Sequence, residues 1–274
     1  MQRHCEGDSP KQSNSPLLVE RGWGRGLDCF ATLAMTQKES NEFMNKESNA
    51  YTLIYSVIVV VVVAVMLAYA SESLHPMQAR NEANDKIRQM LTSINIISTH
   101  ANAEQLFSEY IVDSYLVNIQ GDRIPGDALK IELSVEQNKP EANRRYPVFE
   151  AIIHGSKKYI LSMYGAGLWG PIWGFIALEE DKNTVYGASF DHEAETPGLG
   201  AEINTPHFEH EFIGKKFFNP ENKFTSIAIV KAGHVAHGQD YVDGISGGTI
   251  TSQAVDVMLK SCIGAYEAFL RKKE

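Results

Sequence analysis

The sequence predicts an α+β domain carried on a single N-terminal membrane-spanning helix. Three observations predict it. No charged residue occurs between Glu47 and Glu72; a series of short segments rich in Val, Ile, Tyr and Phe follows later in the chain; and the C-terminal segment carries one apolar stripe at helical spacing. The 274 residues hold 34 acids against 25 bases, a formal net charge of −9. This balance argues against a nucleic-acid binder, which needs a basic face to neutralise phosphates. The three cysteines, Cys5, Cys29 and Cys262, are too few for a disulfide-framed scaffold or a Cys₄ iron–sulfur or zinc site.

Residues 1–43 mix Gly, Ser and Pro with isolated aromatics and show no apolar periodicity, so they read as a disordered extension. Met35 and Met44 offer alternative starts, and the first 34 to 43 residues are expected to be absent from the mature protein. Residues 44–72 form the anchor. Tyr51 to Ala70 is apolar except for Thr52 and Ser56, and twenty helical residues span roughly 30 Å, the thickness of bilayer hydrocarbon. Tyr51, Tyr55 and Tyr69 lie near its ends, where amphipathic rings prefer the headgroup level. Lys38 and Lys46 before the span balance Arg80, Lys86 and Arg88 after it, so charge counting does not orient the helix.

Residues 73–100 read as a helical stalk, and residues 101–274 as the domain. Within the domain, Ala103–Tyr110 reads as a short helix. Seven segments read as strands: 111–119, 128–135, 148–154, 158–163, 172–178, 184–190 and 225–230. From about Thr251 to Leu270, the residues Val255, Met258, Leu259, Cys262, Tyr266, Phe269 and Leu270 keep the spacing of one buried helical stripe. Cys262 lies on that stripe, which makes it a packed thiol rather than a reactive one.

Three segments are rich in Gly and would be odd as mere connectors: Tyr164–Phe175 (YGAGLWGPIWGF), Asp191–Ile203 (DHEAETPGLGAEI), where Pro197-Gly198 also suits a plain surface turn, and Asp243–Ser252 (DGISGGTITS). The first reads either as a tight turn with core tryptophans or as a pocket wall for a planar ring. The third feeds a helix N-terminus, where successive N–H groups and the helix dipole favour an anion; Thr249 and Thr251 there also suit plain N-capping. It is neither a P-loop nor a dinucleotide fingerprint. His207-x-x-His210 and His234-x-x-His237 have ligand-like spacing but no matching carboxylates, and are expected to be ordinary histidines, with no metal. No nucleophile elbow and no H-E-x-x-H motif occurs, and no catalytic residue is assigned.

Taken in series, DGISGGTITS, YGAGLWGPIWGF and HEAETPGLG resemble the three signatures of the FMN-binding domain family. Together with one N-terminal span, they are similar to the form found in the C subunits of sodium-translocating NADH:quinone reductases. The resemblance covers about Asn45 to the C-terminus. Gly248 departs from it, standing where the family typically has Ala.

The resemblance implies FMN joined by a phosphoester to Thr249, with Asp243 as the acid of the flavinylation motif. Leu168, Trp169, Glu195, Thr196, Leu199 and Gly200 would line the isoalloxazine ring, and Ser246, Gly247, Gly248 and Thr251 would approach the phosphate. It further implies a flavin transferase that installs the group from FAD, which places the domain on the periplasmic side of a bacterial inner membrane. The partners implied are the other members of a membrane redox complex of six subunits, passing electrons from NADH to ubiquinone, coupled to sodium export. The alternative within the same chemistry is the G subunit of the related Rnf electron-transport complex. Outside it stand a membrane-anchored binding module and an assembly factor, neither of which would carry a covalent flavin.

Overall fold

A computed structural model describes residues 48–272; the N-terminal extension read over 1–43, with Cys5 and Cys29, lies outside the described residues. The chain divides into two compact units, the first ending at Ser71 and the second beginning at Glu72. In the first unit the described residues are helical from Asn49 onward. The apolar side chains of this stretch are exposed, among them Leu53, Val60 and Leu67. The helix that contains it, α1 (Asn49–Ser93), is long and apolar enough to cross a membrane.

The second unit is built on a six-stranded antiparallel sheet in the order β2-β1-β3-β4-β5-β6. The strands are β1 (Ile111–Val117), β2 (Arg123–Ile124), β3 (Tyr146–Ile153), β4 (Ser156–Ala166), β5 (Pro171–Leu178) and β6 (Val185–His192). Successive side chains of a strand point to opposite faces, and both faces are covered. On β5, Ile172, Ile176 and Leu178 enter one core while Phe175 and Ala177 enter the other.

The first core is closed by α5 (Thr249–Ala265) and α6 (Glu267–Arg271), through Val255, Met258, Leu259, Ile263, Phe269 and Leu270. The second is closed by Met90 and Leu91 of α1 and by Leu106 and Phe107 of α2 (Ala103–Tyr110). Fully burying a side chain such as Met90 or Leu91 contributes roughly 1.5–3 kcal/mol, which is why the polar stalk sequence turns apolar at its end. A separate two-stranded parallel ladder, β7 (Ala228–Lys231) with β8 (Tyr241–Gly244), leads into α5.

The α+β reading and the strands at β1 and β3–β7 stand, with ends shifted by a few residues. The segment 128–135 is not a strand. Asp127 accepts a hydrogen bond from the Leu129 N–H and starts a single 3₁₀ turn, Ala128–Lys130, which is followed by the short helix α3 (Leu133–Gln137). Its apolar residues mislead because they do not alternate on one face: Ala128 and Ile131 are buried, whereas Val135 is exposed. The C-terminal stripe also belongs to two helices, since the chain breaks at Tyr266 between α5 and α6. Two short strands, β2 and β8, carry too few residues to show a period.

Candidate functional site

Three segments converge at the N-terminal end of α5. The first is the tip of the β4–β5 hairpin. The ladder runs out at the Ala166–Pro171 pair, and the Gly167 N–H donates to the Gly170 carbonyl at 2.8 Å, closing a tight loop. This leaves Leu168 and Trp169 on the outside, 46% and 66% exposed. Trp173, by contrast, turns back: its indole N–H donates to Gln89 of α1 at 3.0 Å. The segment is therefore both a turn and an apolar surface.

The second segment follows β6. Thr196 accepts the N–H groups of Leu199 and Ala201 at 3.1 Å each, folding 196–201 into a compact turn with Gly198 at φ +76°. The side chains of Thr196 and Leu199 lie outside, while Glu195 and Gly200 are buried. The third segment is the turn between β8 and α5. Gly247 takes φ +80°, a conformation natural to Gly. Gly248 is buried, and a Cβ there would sit 3.1 Å from the Leu199 carbonyl oxygen and from Ile245 Cγ2. Glycine here lets the Leu199 loop approach more closely than an alanine would.

Glu195 ties the three together. One carboxylate oxygen accepts the N–H groups of Leu168 at 2.7 Å and Trp169 at 3.0 Å, and the other accepts the Thr251 hydroxyl at 2.6 Å. Burial pushes the Glu195 carboxyl up, but the bonds from Thr251, Trp169 and Leu168 outweigh it and hold the group below the ordinary carboxylate range. Thr251 is thus engaged in a side-chain bond and does not cap the helix. The N-cap position is Gly248, and no side chain caps α5. Thr249 is the first helical residue and is exposed.

The first N–H groups of a helix have no intrahelical acceptor and carry the positive end of the dipole. The end of α5 therefore has free donors that can take an anion, with an accessible hydroxyl in its first turn and exposed apolar side chains at Leu168, Trp169 and Leu199 on the two segments that meet it. These are the residues a flavin phosphate and a planar ring require, and the donor set fits FMN. Ser246 is exposed in the same turn.

Asp243 stands apart from this cluster. It lies at the end of β8, its backbone N–H donating to Glu211 at 2.9 Å, and it lines a separate concavity with Glu211, Lys215, His234 and Tyr241. Glu195 as a clasp is not legible in the sequence, where it reads as part of the ring wall; nor is His192, whose Nδ1 accepts the Glu195 N–H at 3.2 Å. Among the described residues no group of three or more His, Cys, Asp or Glu side chains is placed to hold a metal ion. Cys262 is packed beside Tyr164, donating to its carbonyl at 3.2 Å, and burial pushes its thiol up.

Comparison with known proteins agrees with this geometry. The FMN-binding domain family model matches residues 167–264, a stretch that begins at the hairpin tip and ends within α5. Among curated proteins, the C subunit of the Na(+)-translocating NADH-quinone reductase of Yersinia pestis is 30% identical over 256 residues, covering 85% of this chain and 96% of the relative. The C subunit of the Vibrio vulnificus enzyme is 32% identical over 209 residues, 70% of this chain and 82% of the relative. A crystal structure of the C subunit from Parabacteroides distasonis superposes with a TM-score of 0.70 at 48% identity, covering 73% of this chain and 98% of that one. The chain belongs to the family of Na(+)-translocating NADH-quinone reductase C subunits and carries its FMN-binding domain.

Proposed function

We propose that this chain is the membrane-anchored flavoprotein subunit of a sodium-translocating NADH:quinone reductase, with FMN held covalently by a phosphoester to Thr249. When bound, FMN supplies reversible electron transfer, and the protein contributes position and electrostatics. The observation that carries the reading is the uncapped N-terminus of α5, with the exposed Thr249 as its first residue after Gly247-Gly248. There, backbone donors and the helix dipole hold the phosphate ester without a cationic side chain. The Thr249 hydroxyl needs no lowered pKa of its own, because a flavin transferase with its divalent metal would activate attack on FAD. Gly247 and Gly248 let the turn fold closely beneath the ester, and Leu168, Trp169 and Leu199 present apolar surface to the ring.

In this reading, Tyr51–Ala70 crosses a bacterial inner membrane, the second unit lies on the periplasmic side where the transferase works, and membrane lipid surrounds the span. The chain passes electrons between other subunits of the complex, on a path from NADH to quinone coupled to sodium export. A covalent tether suits such a carrier, since it removes cofactor loss into a dilute compartment. The test is flavin fluorescence after denaturing electrophoresis of the full chain co-produced with a flavin transferase. The wild type is expected to run as a fluorescent band, Thr249→Ser to keep part of the signal, and Thr249→Ala to lose it. A fluorescent Thr249→Ala band would overturn the assignment.

A further inference from the structure

Buried carboxylates are costly unless their oxygens are satisfied, and Glu195 is 4% exposed with both oxygens engaged. Its three donors come from two elements that are distant in sequence: two backbone N–H groups of the hairpin tip and the hydroxyl of Thr251 in the first turn of α5. The surroundings are built tightly around it. A Cβ on Gly167 would lie 2.5 Å from Oε1, and one on Gly200 would lie 2.5 Å from Oε2. The backbone is held as well, through the bond from the Glu195 N–H to His192. None of these contacts points toward solvent, so they do not serve to bind a ligand directly. They fix where Leu168 and Trp169 stand relative to the turn bearing Thr249.

We propose that Glu195 is the positioning residue of this site: its carboxylate clasps the Leu168–Trp169 tip to the first turn of α5, setting the apolar surface against the attachment point before any cofactor is joined. The flavin part of this inference rests on the function proposed above; the clasp itself does not. The Glu195 carboxylate bonds Thr251 and the tip rather than Thr249, where the phosphoester would form. It determines how firmly the ring is held once the bond exists.

The experiment uses the full chain in detergent, with Glu195→Leu and Glu195→Gln beside the wild type. Glutamine can still accept from both N–H groups through its carbonyl oxygen and donate its NH₂ to a turned Thr251 hydroxyl; leucine can do neither. In unmodified protein, hydrogen exchange at the Leu168 and Trp169 amides is expected to lose about tenfold or more in protection factor in Glu195→Leu, and only a few fold in Glu195→Gln. Protection in the central strands β3 and β4 should stay unchanged in both.

In protein co-produced with a flavin transferase, flavin fluorescence anisotropy, compared per covalently bound flavin, is expected to fall in Glu195→Leu and to be restored in Glu195→Gln. Tip protection in Glu195→Leu within about twofold of wild type would overturn the clasp. Unchanged anisotropy alongside lost protection would overturn its role toward the ring. A wild type without flavin on Thr249 would overturn the proposed function and with it the ring-holding role, while the exchange arm would still decide the clasp. If Glu195→Leu fails to fold, Glu195→Ala, which removes the carboxylate without adding bulk, decides the clasp: tip protection within about twofold of wild type overturns it, and a loss of about tenfold or more confined to the tip supports it.

Discussion

Replacing Gly200 by alanine places a methyl group inside the clasp. Its Cβ would lie 2.5 Å from Glu195 Oε2 and 3.1 Å from Thr251 Cβ, and in direct collision with the Thr251 hydroxyl, whereas real Cβ contacts stay above 3.0 Å. Each of the two oxygens must therefore retreat by about half an ångström, which stretches the Thr251–Glu195 hydrogen bond from 2.6 Å to about 3.1–3.6 Å, past the ordinary O–H···O range. A hydrogen bond to a charged group contributes about 1.5–3 kcal/mol, and the oxygen left behind is buried. Against this, alanine gains about 0.4–1 kcal/mol by restricting the unfolded chain. Each kcal/mol shifts the melting temperature of a domain of this size by about 2–4 °C, so the net expectation is a fall of about 1–10 °C.

The assay is thermal unfolding of the full chain in detergent, followed by circular dichroism. Gly198→Ala is the control: φ is +76° but nothing lies within 4 Å of its Cβ, so only the backbone cost of about 1–2 kcal/mol applies and the clasp survives. The two variants part in amide exchange at the hairpin tip, which Gly200→Ala should accelerate and Gly198→Ala should leave alone. A Gly200→Ala protein that melts at or above wild type, with a protected tip, would refute the reasoning.

Two further outcomes are expected. Glu209 of α4 (Pro206–His210) accepts the Phe190 N–H at 2.8 Å, and its burial pushes the carboxyl up to about 7, only partly offset by that bond. Because the folded-state value lies above the unfolded one, the native state binds the extra proton, and this group's contribution to stability falls as pH rises from about 4.5 to 7. Glu209→Gln should flatten that segment of the stability–pH curve and exceed wild type above neutrality, by roughly 3 kcal/mol at most; denaturant titrations at several pH values check it, and parallel curves would contradict it. For topology, reporters fused after Ser71 should be active only when the reporter works outside the cytoplasm, and activity of a cytoplasm-only reporter there would reverse the orientation.

What is legible in the sequence divides along physical lines. The span is legible because length and the absence of charge are properties of a single segment. β3 to β6 are legible because each has enough residues to show apolar character between turn signals. The segment 128–135 misleads because Ala128 and Ile131 are apolar for a local reason, filling the second core from a 3₁₀ turn that Asp127 initiates.

The site is legible in its glycines and not in its wiring. Gly247 and Gly248 mark a turn that any reader of positive φ and close approach would notice. Nothing in the letters Glu195, Leu168 and Thr251 indicates that the carboxylate bonds to two main-chain amides 26 and 27 residues before it and a hydroxyl 56 residues after it. Long-range bonds to backbone leave no side-chain signature on the partner. Glu195 is legible as a site residue, and its role emerges only once the hairpin tip and α5 are folded against each other.

The central claim is that Thr249 carries the flavin, and the most direct measurement is mass spectrometry of the full chain co-produced with a flavin transferase, followed by fragmentation of the peptide spanning Asp243–Lys260. The account predicts an added mass equal to FMN less one water, placed by the fragment series on Thr249. The same added mass on Ser246, Thr251 or Ser252, or an unmodified peptide from a protein shown to be in contact with an active transferase, would contradict it.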